Sequence, residues 1–166
     1  MNDLKSLMLA EPRLTLAVAE SLTSGRLQAK IGAISGASTF VLGGITAYSI
    51  EEKVRHLGVD RLEATAVNGV SSRMAEQLAC GACRLFGSDL GVATTGYAEA
   101  YPEQKVKEPC AWWGLARRRP DGDFEVSSGR VDCPGLSRVD VQECVAEAAL
   151  GALATFLKGR SAAGTT

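Results

Sequence analysis

Leu14-Thr15-Leu16-Ala17-Val18-Ala19, followed at once by Glu20-Ser21-Leu22-Thr23-Ser24-Gly25, decides the fold of this chain. The first half is apolar without strict alternation, the pattern of a strand buried on both faces. The second half is polar and ends in glycine, and Arg26 to Ile34 then reads as a helix. A strand that turns directly into a helix leaves the first helical N–H groups unpaired and aimed at the turn. Ser21 therefore has two readings. It caps the helix by accepting a bond from one of those groups, or it is a nucleophile whose developing oxyanion meets them.

Working outward, Val41 to Ser49 is a second β-rich run, with Gly43-Gly44 marking a bend or bulge. Ile50 to Leu57 is a short helix stopped by Gly58, and Asp60 caps a further turn over Arg61 to Thr65. Ser71 starts a longer helix through Leu85, with Met74, Leu78 and Leu85 on its apolar face. Leu90 to Thr95 is a strand ended by Gly96, and Tyr97 to Pro109 is an irregular polar loop. Ala111 to Arg117 and Phe124 to Asp132 flank a Pro-Asp-Gly turn and pair as a hairpin. From Ser137 to Lys158, Val141, Cys144, Val145, Ala148, Ala152 and Phe156 recur at helical spacing, and residues 160–166 form a frayed tail. The order predicts one α/β domain over 1–166, a three-layer α/β/α sandwich around one mixed sheet.

The 166 residues carry a net charge of −1, with 46% hydrophobic and 22% charged residues. That balance suits a globular core and supplies no basic stripe, so no nucleic-acid partner is expected. Arg117-Arg118-Arg119 beside the Pro120 turn reads as a solvated strand end. No segment is apolar enough to span a membrane, and the first residues lack a signal-peptide core, so the expected location is cytoplasmic. The 5 cysteines are an odd number and read as reduced thiols. Cys80 and Cys83 match C-x-x-C mid-helix, without a second pair or a histidine cluster, so no metal site is expected.

Ligands of open α/β sheets bind beyond the carboxyl ends of the strands. Three such ends carry polar clusters: Glu20-Ser21-Leu22-Thr23, Tyr48-Ser49 leading to Lys53, and Thr94-Thr95-Gly96. A Ser-His-Asp triad needs a histidine, and His56, the sole one, reads as a surface or boundary residue. Lysine is the remaining base for a serine, provided burial keeps its neutral form accessible. Lys53 follows the second strand end closely and is the candidate; its other reading is a solvated helix lysine, paired with Glu51, Glu52 or neither.

Several motifs together resemble the C-terminal domain of the CinA family of competence/damage-inducible proteins, whose stand-alone members include nicotinamide mononucleotide deamidases. The family's A-E-S-C-T-G-G matches Ala19-Glu20-Ser21-Leu22-Thr23-Ser24-Gly25, and its P-G-S-S matches Ser35-Gly36-Ala37-Ser38. The run G-x-x-x-Y-S-N-x-x-K-x-x-x-L-G-V is matched from Gly44 through Tyr48, Ser49, Lys53 and Leu57-Gly58-Val59. G-A-V-S appears as Asn68-Gly69-Val70-Ser71, and T-G-I-A-G-P as Thr95-Gly96-Tyr97-Ala98-Glu99-Ala100. The resemblance implies a C–N hydrolase acting on a linear amide, in which Ser21 is the nucleophile and Lys53 the general base, and a carboxamide becomes a carboxylate with release of ammonia. It implies Ser38, Tyr48 and Thr95 around that pair, with Glu20, Thr23 and Gly96 of the strand-end motifs and Arg138, similar to the arginine of a G-D-R segment, as substrate-binding residues. It also implies no cofactor, a small-molecule substrate of pyridine-nucleotide type, and a homo-oligomer. The chain departs from the family at Ser24, where the first glycine of T-G-G stands, at Ile50, where the asparagine of Y-S-N stands, and over 97–110, where a glycine-rich loop is replaced by one carrying Glu99, Glu103 and Glu108 against Lys105 and Lys107. That loop predicts a poor fit to nicotinamide mononucleotide, whose phosphate would meet carboxylates in place of backbone N–H groups. The alternative expectation is a non-catalytic paralogue that binds a ligand or a protein partner on the same fold.

Overall fold

The first strand, β1 (Leu16–Glu20), is buried along its whole length, because it lies inside a sheet covered on both faces. In this computed structural model, which describes residues 2–163, the sheet runs β2 (Val41–Thr46), β1, β3 (Leu90–Tyr97), β4 (Cys110–Arg118), β5 (Phe124–Asp132). β2, β1 and β3 are parallel, while β3–β4 and β4–β5 are antiparallel. The mixed three-layer α/β/α architecture expected from the sequence is thus present.

The faces of β1 sort by size. Leu16 and Val18 join a core with α1 (Asn2–Leu9), α2 (Arg26–Gly32) and α6 (Arg138–Ala163). Ala17 and Ala19 meet α5 (Ser72–Phe86), with α3 (Ile50–Leu57) and α4 (Arg61–Ala66) beyond it. Small residues on that second face let α5 lie close to the sheet. A Cβ at Gly91 would fall 2.1 Å from the Ala79 carbonyl oxygen, and one at Gly114 would fall 2.3 Å from that of Ala75.

The predicted caps at Asp60 and Ser71 hold, and Ser49 adds a third that was not foreseen. Ser49 Oγ accepts from Glu52 N–H, Asp60 from Glu63 N–H and Ser71 Oγ from Met74 N–H. Gly58 ends α3 in the left-handed region. The irregularity foreseen at Gly43-Gly44 falls one residue earlier: the pairing passes from Leu16–Val41 to Ala17–Gly43 and skips Leu42.

Five readings are corrected. β2 ends at Thr46, so Tyr48 and Ser49 lie in the turn before α3. β3 continues through Gly96 to Tyr97; Gly96 pairs with Ala111, where a Cβ would sit 2.5 Å from the Ala111 backbone, so this glycine permits close strand approach and does not end the strand. Leu85 is 46% exposed. On α6 the fully buried stripe is Val141, Val145, Ala149, Leu153 and Leu157, with Cys144, Ala148, Ala152 and Phe156 on its half-buried flank; an alanine-rich helix offers several stripes of the same period. The same helix runs on through residues 160–163 of the expected tail, and residues 164–166 lie outside the described part. Finally, α1 was not signalled; its Leu4 and Met8 are buried in the core.

Candidate active site

The turn after β1 is held from three directions. The Glu20 carboxylate is buried and accepts from the backbone N–H groups of Gly25 (3.0 Å), Leu27 (3.1 Å) and Gln28 (2.8 Å). It therefore satisfies the start of α2, where negative charge is favoured. Thr23 Oγ1 lies 2.7 Å from Thr94 Oγ1 on β3, and Gln142 of α6 donates to the Leu22 carbonyl at 2.7 Å. Ser24 and Gly25 turn the chain with φ of 54° and 95°, so a serine here adopts the left-handed conformation at the position where the family pattern has glycine.

This arrangement removes the capping reading of Ser21. The capping function is taken by Glu20, and the Ser21 hydroxyl is left to face Lys53, whose Nζ lies 3.0 Å from Ser21 Oγ. Lys53 also donates to the Tyr48 carbonyl at 2.7 Å. It is 3% exposed, and burial lowers its pKa from 10.5 to about 8. The neighbouring carboxylates are engaged elsewhere: Glu51 with Arg61, and Glu52 with Arg55 and His56. Among the described residues no carboxylate restores the charge of the lysine, so its neutral form is accessible near neutral pH. His56 stays on the outer face of α3, as expected of a boundary residue.

Ser21 and Lys53 sit at the floor of a cavity of about 530 Å³ beyond the carboxyl ends of β1, β2 and β3. Tyr48, Gly96 and Arg138 line it, and so does Thr95, whose buried Oγ1 donates to the Gly69 carbonyl at 2.6 Å and fixes the turn before α5. Arg138 opens α6; its Nη1 donates to Glu99 at 2.7 Å and its Nη2 to the Tyr48 hydroxyl at 2.9 Å.

Three of the expected substrate-binding residues are not on the cavity wall. Glu20 and Thr23 point into the fold, where they hold the turn. Ser38 is exposed on a 3-10 turn (Ala37–Thr39) that precedes β2, at the opposite end of the parallel strands. Asn68, which sequence reasoning left out of the site, lines the wall, as do Tyr97 and Tyr101 of the 97–110 loop. Asn68 (φ 50°) donates to the Tyr97 hydroxyl at 3.2 Å, and Tyr97 and Tyr101 stand with ring centres 5.8 Å apart. The Asn68-Gly69 pair, a turn dipeptide before a capping serine, was the available signal for the first. Among the described residues no group of three or more His, Cys, Asp or Glu is placed to hold a metal ion. Cys80 and Cys83 are buried, and burial pushes the Cys83 thiol up to about 11. No helix of the described residues is long and apolar enough to cross a membrane.

Fold and cavity together define a three-layer α/β/α protein with a buried serine–lysine pair at the carboxyl edge of its parallel strands. The model of the CinA C-terminal domain matches residues 2–157, and the chain belongs to that family. It is 35% identical over 154 residues to a CinA-like protein of Chlorobium limicola, covering 91% of this chain and 35% of that protein. A CinA-like protein of Chlorobaculum tepidum is 38% identical over 154 residues, with 91% and 36% covered. The chain thus spans about a third of the length of these relatives. A crystal structure of a competence-damaged protein (CinA) superfamily member from Klebsiella pneumoniae superposes with a TM-score of 0.84 at 24% identity, covering 95% of both chains.

Proposed function

We propose that this chain is an amidohydrolase that converts a small carboxamide, of pyridine-nucleotide or related type, to a carboxylate and ammonia through Ser21 and Lys53. The observation that carries the reading is the 3.0 Å contact between Ser21 Oγ and a lysine amine whose pKa burial lowers to about 8. As the neutral amine, Lys53 keeps one N–H on the Tyr48 carbonyl and turns its lone pair to the serine hydroxyl. Ser21 Oγ adds to the carboxamide carbon while its proton passes to Lys53 Nζ. The N–H groups of Gly25, Leu27 and Gln28 are committed to Glu20. The positive charge nearest the new oxyanion is then the protonated lysine itself. Lys53 returns the proton to the amide nitrogen, the C–N bond breaks, and ammonia leaves an ester on Ser21. Water, giving its proton to Lys53, cleaves that ester to the carboxylate and restores the serine.

The family resemblance supports the same reading and adds a homo-oligomer, measurable by light scattering. Ammonia release from a panel of small carboxamides tests the activity, with Ser21→Ala as the control. Ligand binding without ammonia release by the wild-type protein would favour the alternative, a non-catalytic binding paralogue.

A further inference from the structure

Arg138 presents its guanidinium to the same cavity as Ser21 and Lys53, and each of its outer nitrogens already donates one hydrogen bond. Glu99 holds Nη1 at 2.7 Å and the Tyr48 hydroxyl holds Nη2 at 2.9 Å. A carboxylate on a guanidinium takes the seat that a phosphate or carboxylate oxygen of a ligand would take. The remaining charges do not replace it. Lys53 is turned to Ser21 and Tyr48, and Glu51, the other acidic residue on the wall, is held by Arg61. Lys105 and Lys107 line a separate shallow depression with Val106 and Pro102. Among the described residues the cavity therefore offers an incoming anion no unpaired cation. The wall beside Glu99 is aromatic, formed by Tyr97 and Tyr101 with ring centres 5.8 Å apart. Such faces favour a flat neutral ring or a cationic one.

We infer that Glu99 is a specificity residue: it fills the anion seat on Arg138, so the site accepts a carboxamide on a neutral or cationic ring and rejects the phosphorylated counterpart. This rests on the amidohydrolase reading only for the identity of the reacting group. A phosphate monoester entering the cavity must displace Glu99 from Arg138 and leave a carboxylate beside a dianion, an arrangement disfavoured by like-charge repulsion.

The test is binding of a matched pair, nicotinamide riboside and nicotinamide mononucleotide, by calorimetry. Ser21→Ala is the background so that neither is consumed. The riboside should bind more tightly than the mononucleotide. Adding Glu99→Gln, which keeps the side-chain shape, should tighten the mononucleotide by about tenfold or more and leave the riboside unchanged or weaker. Adding Arg138→Gln as well should cancel that gain. Mononucleotide bound as tightly as riboside before the Glu99 change would overturn the inference. So would an equal gain for both probes, or no gain for the mononucleotide. Turnover by the wild-type chain separates the two claims. The predicted binding pattern without ammonia release removes the hydrolase reading and keeps the role of Glu99. Ammonia from both probes, insensitive to Glu99→Gln, keeps the hydrolase and removes the role.

Discussion

Replacing Lys53 by Met deletes an ammonium held between Ser21 Oγ, the Tyr48 carbonyl and the cavity floor, and keeps an unbranched chain in its place. Burial lowers the folded-state pKa of this lysine from 10.5 to about 8. Between those values the unfolded chain carries the extra proton, so stability rises with pH across that window. Below the folded value the full cost of burying the charge is present, on the order of 3 kcal/mol; above the unfolded value it has vanished. From about pH 7 to about pH 9.5 the lysine alone should contribute a rise of about 2 kcal/mol. Buried thiols act in the opposite sense. Cys83 and Cys133, pushed up to about 11, lose stability as the unfolded thiols ionise first. Wild type and Lys53→Met share those thiols, so the difference between them isolates the lysine. Urea unfolding followed by the fluorescence of Trp112 and Trp113 gives that difference at each pH. The stability of wild type relative to the variant should rise by about 2 kcal/mol over the interval. A difference that is the same at both pH values would show that the lysine keeps an ordinary affinity for its proton and would refute its use as a base.

If Lys53 acts as the base, kcat/KM for a carboxamide should climb with pH through an inflection near the lysine's value of about 8, measured as ammonia released in matched buffers. Ser21→Ala should cut turnover at least about a thousandfold while shifting the melting temperature by less than about 5 °C. Glu20→Ala strips three backbone N–H groups of their acceptor and should cost about 2–4 kcal/mol by urea titration. An unchanged midpoint would mean that water replaces the carboxylate at no cost. Gly91→Ala drives a methyl to 2.1 Å from the Ala79 carbonyl and should cost about 1–3 kcal/mol or more, visible in the same titration.

The elements were legible where their signals are local. Asp60 and Ser71 were read as helix caps, and each accepts a backbone N–H three residues on. The serine–lysine contact was legible too, because both residues follow ends of parallel strands that lie side by side. What failed was direction. A position on a strand end does not say whether a side chain faces the cavity or the core. Glu20 and Thr23, either side of Ser21 in the motif, turn inward to Gln28 and Thr94. Ser38, carried over from a motif, sits at the far end of the strands. Gly96 was read as a strand terminator because sequence shows a missing side chain but not the neighbour that requires its absence. The Glu99–Arg138 pair joins residues on β3's outgoing loop and the first turn of α6, a separation that no periodicity reports.

The inward turn of Glu20 is what makes the outward turn of Ser21 possible. A strand feeding a helix within a few residues leaves N–H groups that some acceptor must satisfy, and a serine hydroxyl in that turn commonly accepts from one of them. Here the preceding carboxylate takes three of them. Period-two alternation along an extended chain then sends the next side chain to the opposite side. On that side the first turn of α3 delivers Lys53, because Ser49 starts the helix and fixes its phase. The Tyr48 carbonyl, just before that cap, receives the amine and points it at the serine. Together these residues place a buried amine against a freed hydroxyl. The departures of this chain from its family pattern fall at Ser24 in the turn after β1, where the serine takes a φ of 54°, at Ile50 at the start of α3, and on the far wall of the cavity, at Glu99 and the tyrosines. On the proposed reading the far wall chooses the ligand while the floor carries the chemistry, so charge preference, measured apart from turnover, is the informative quantity.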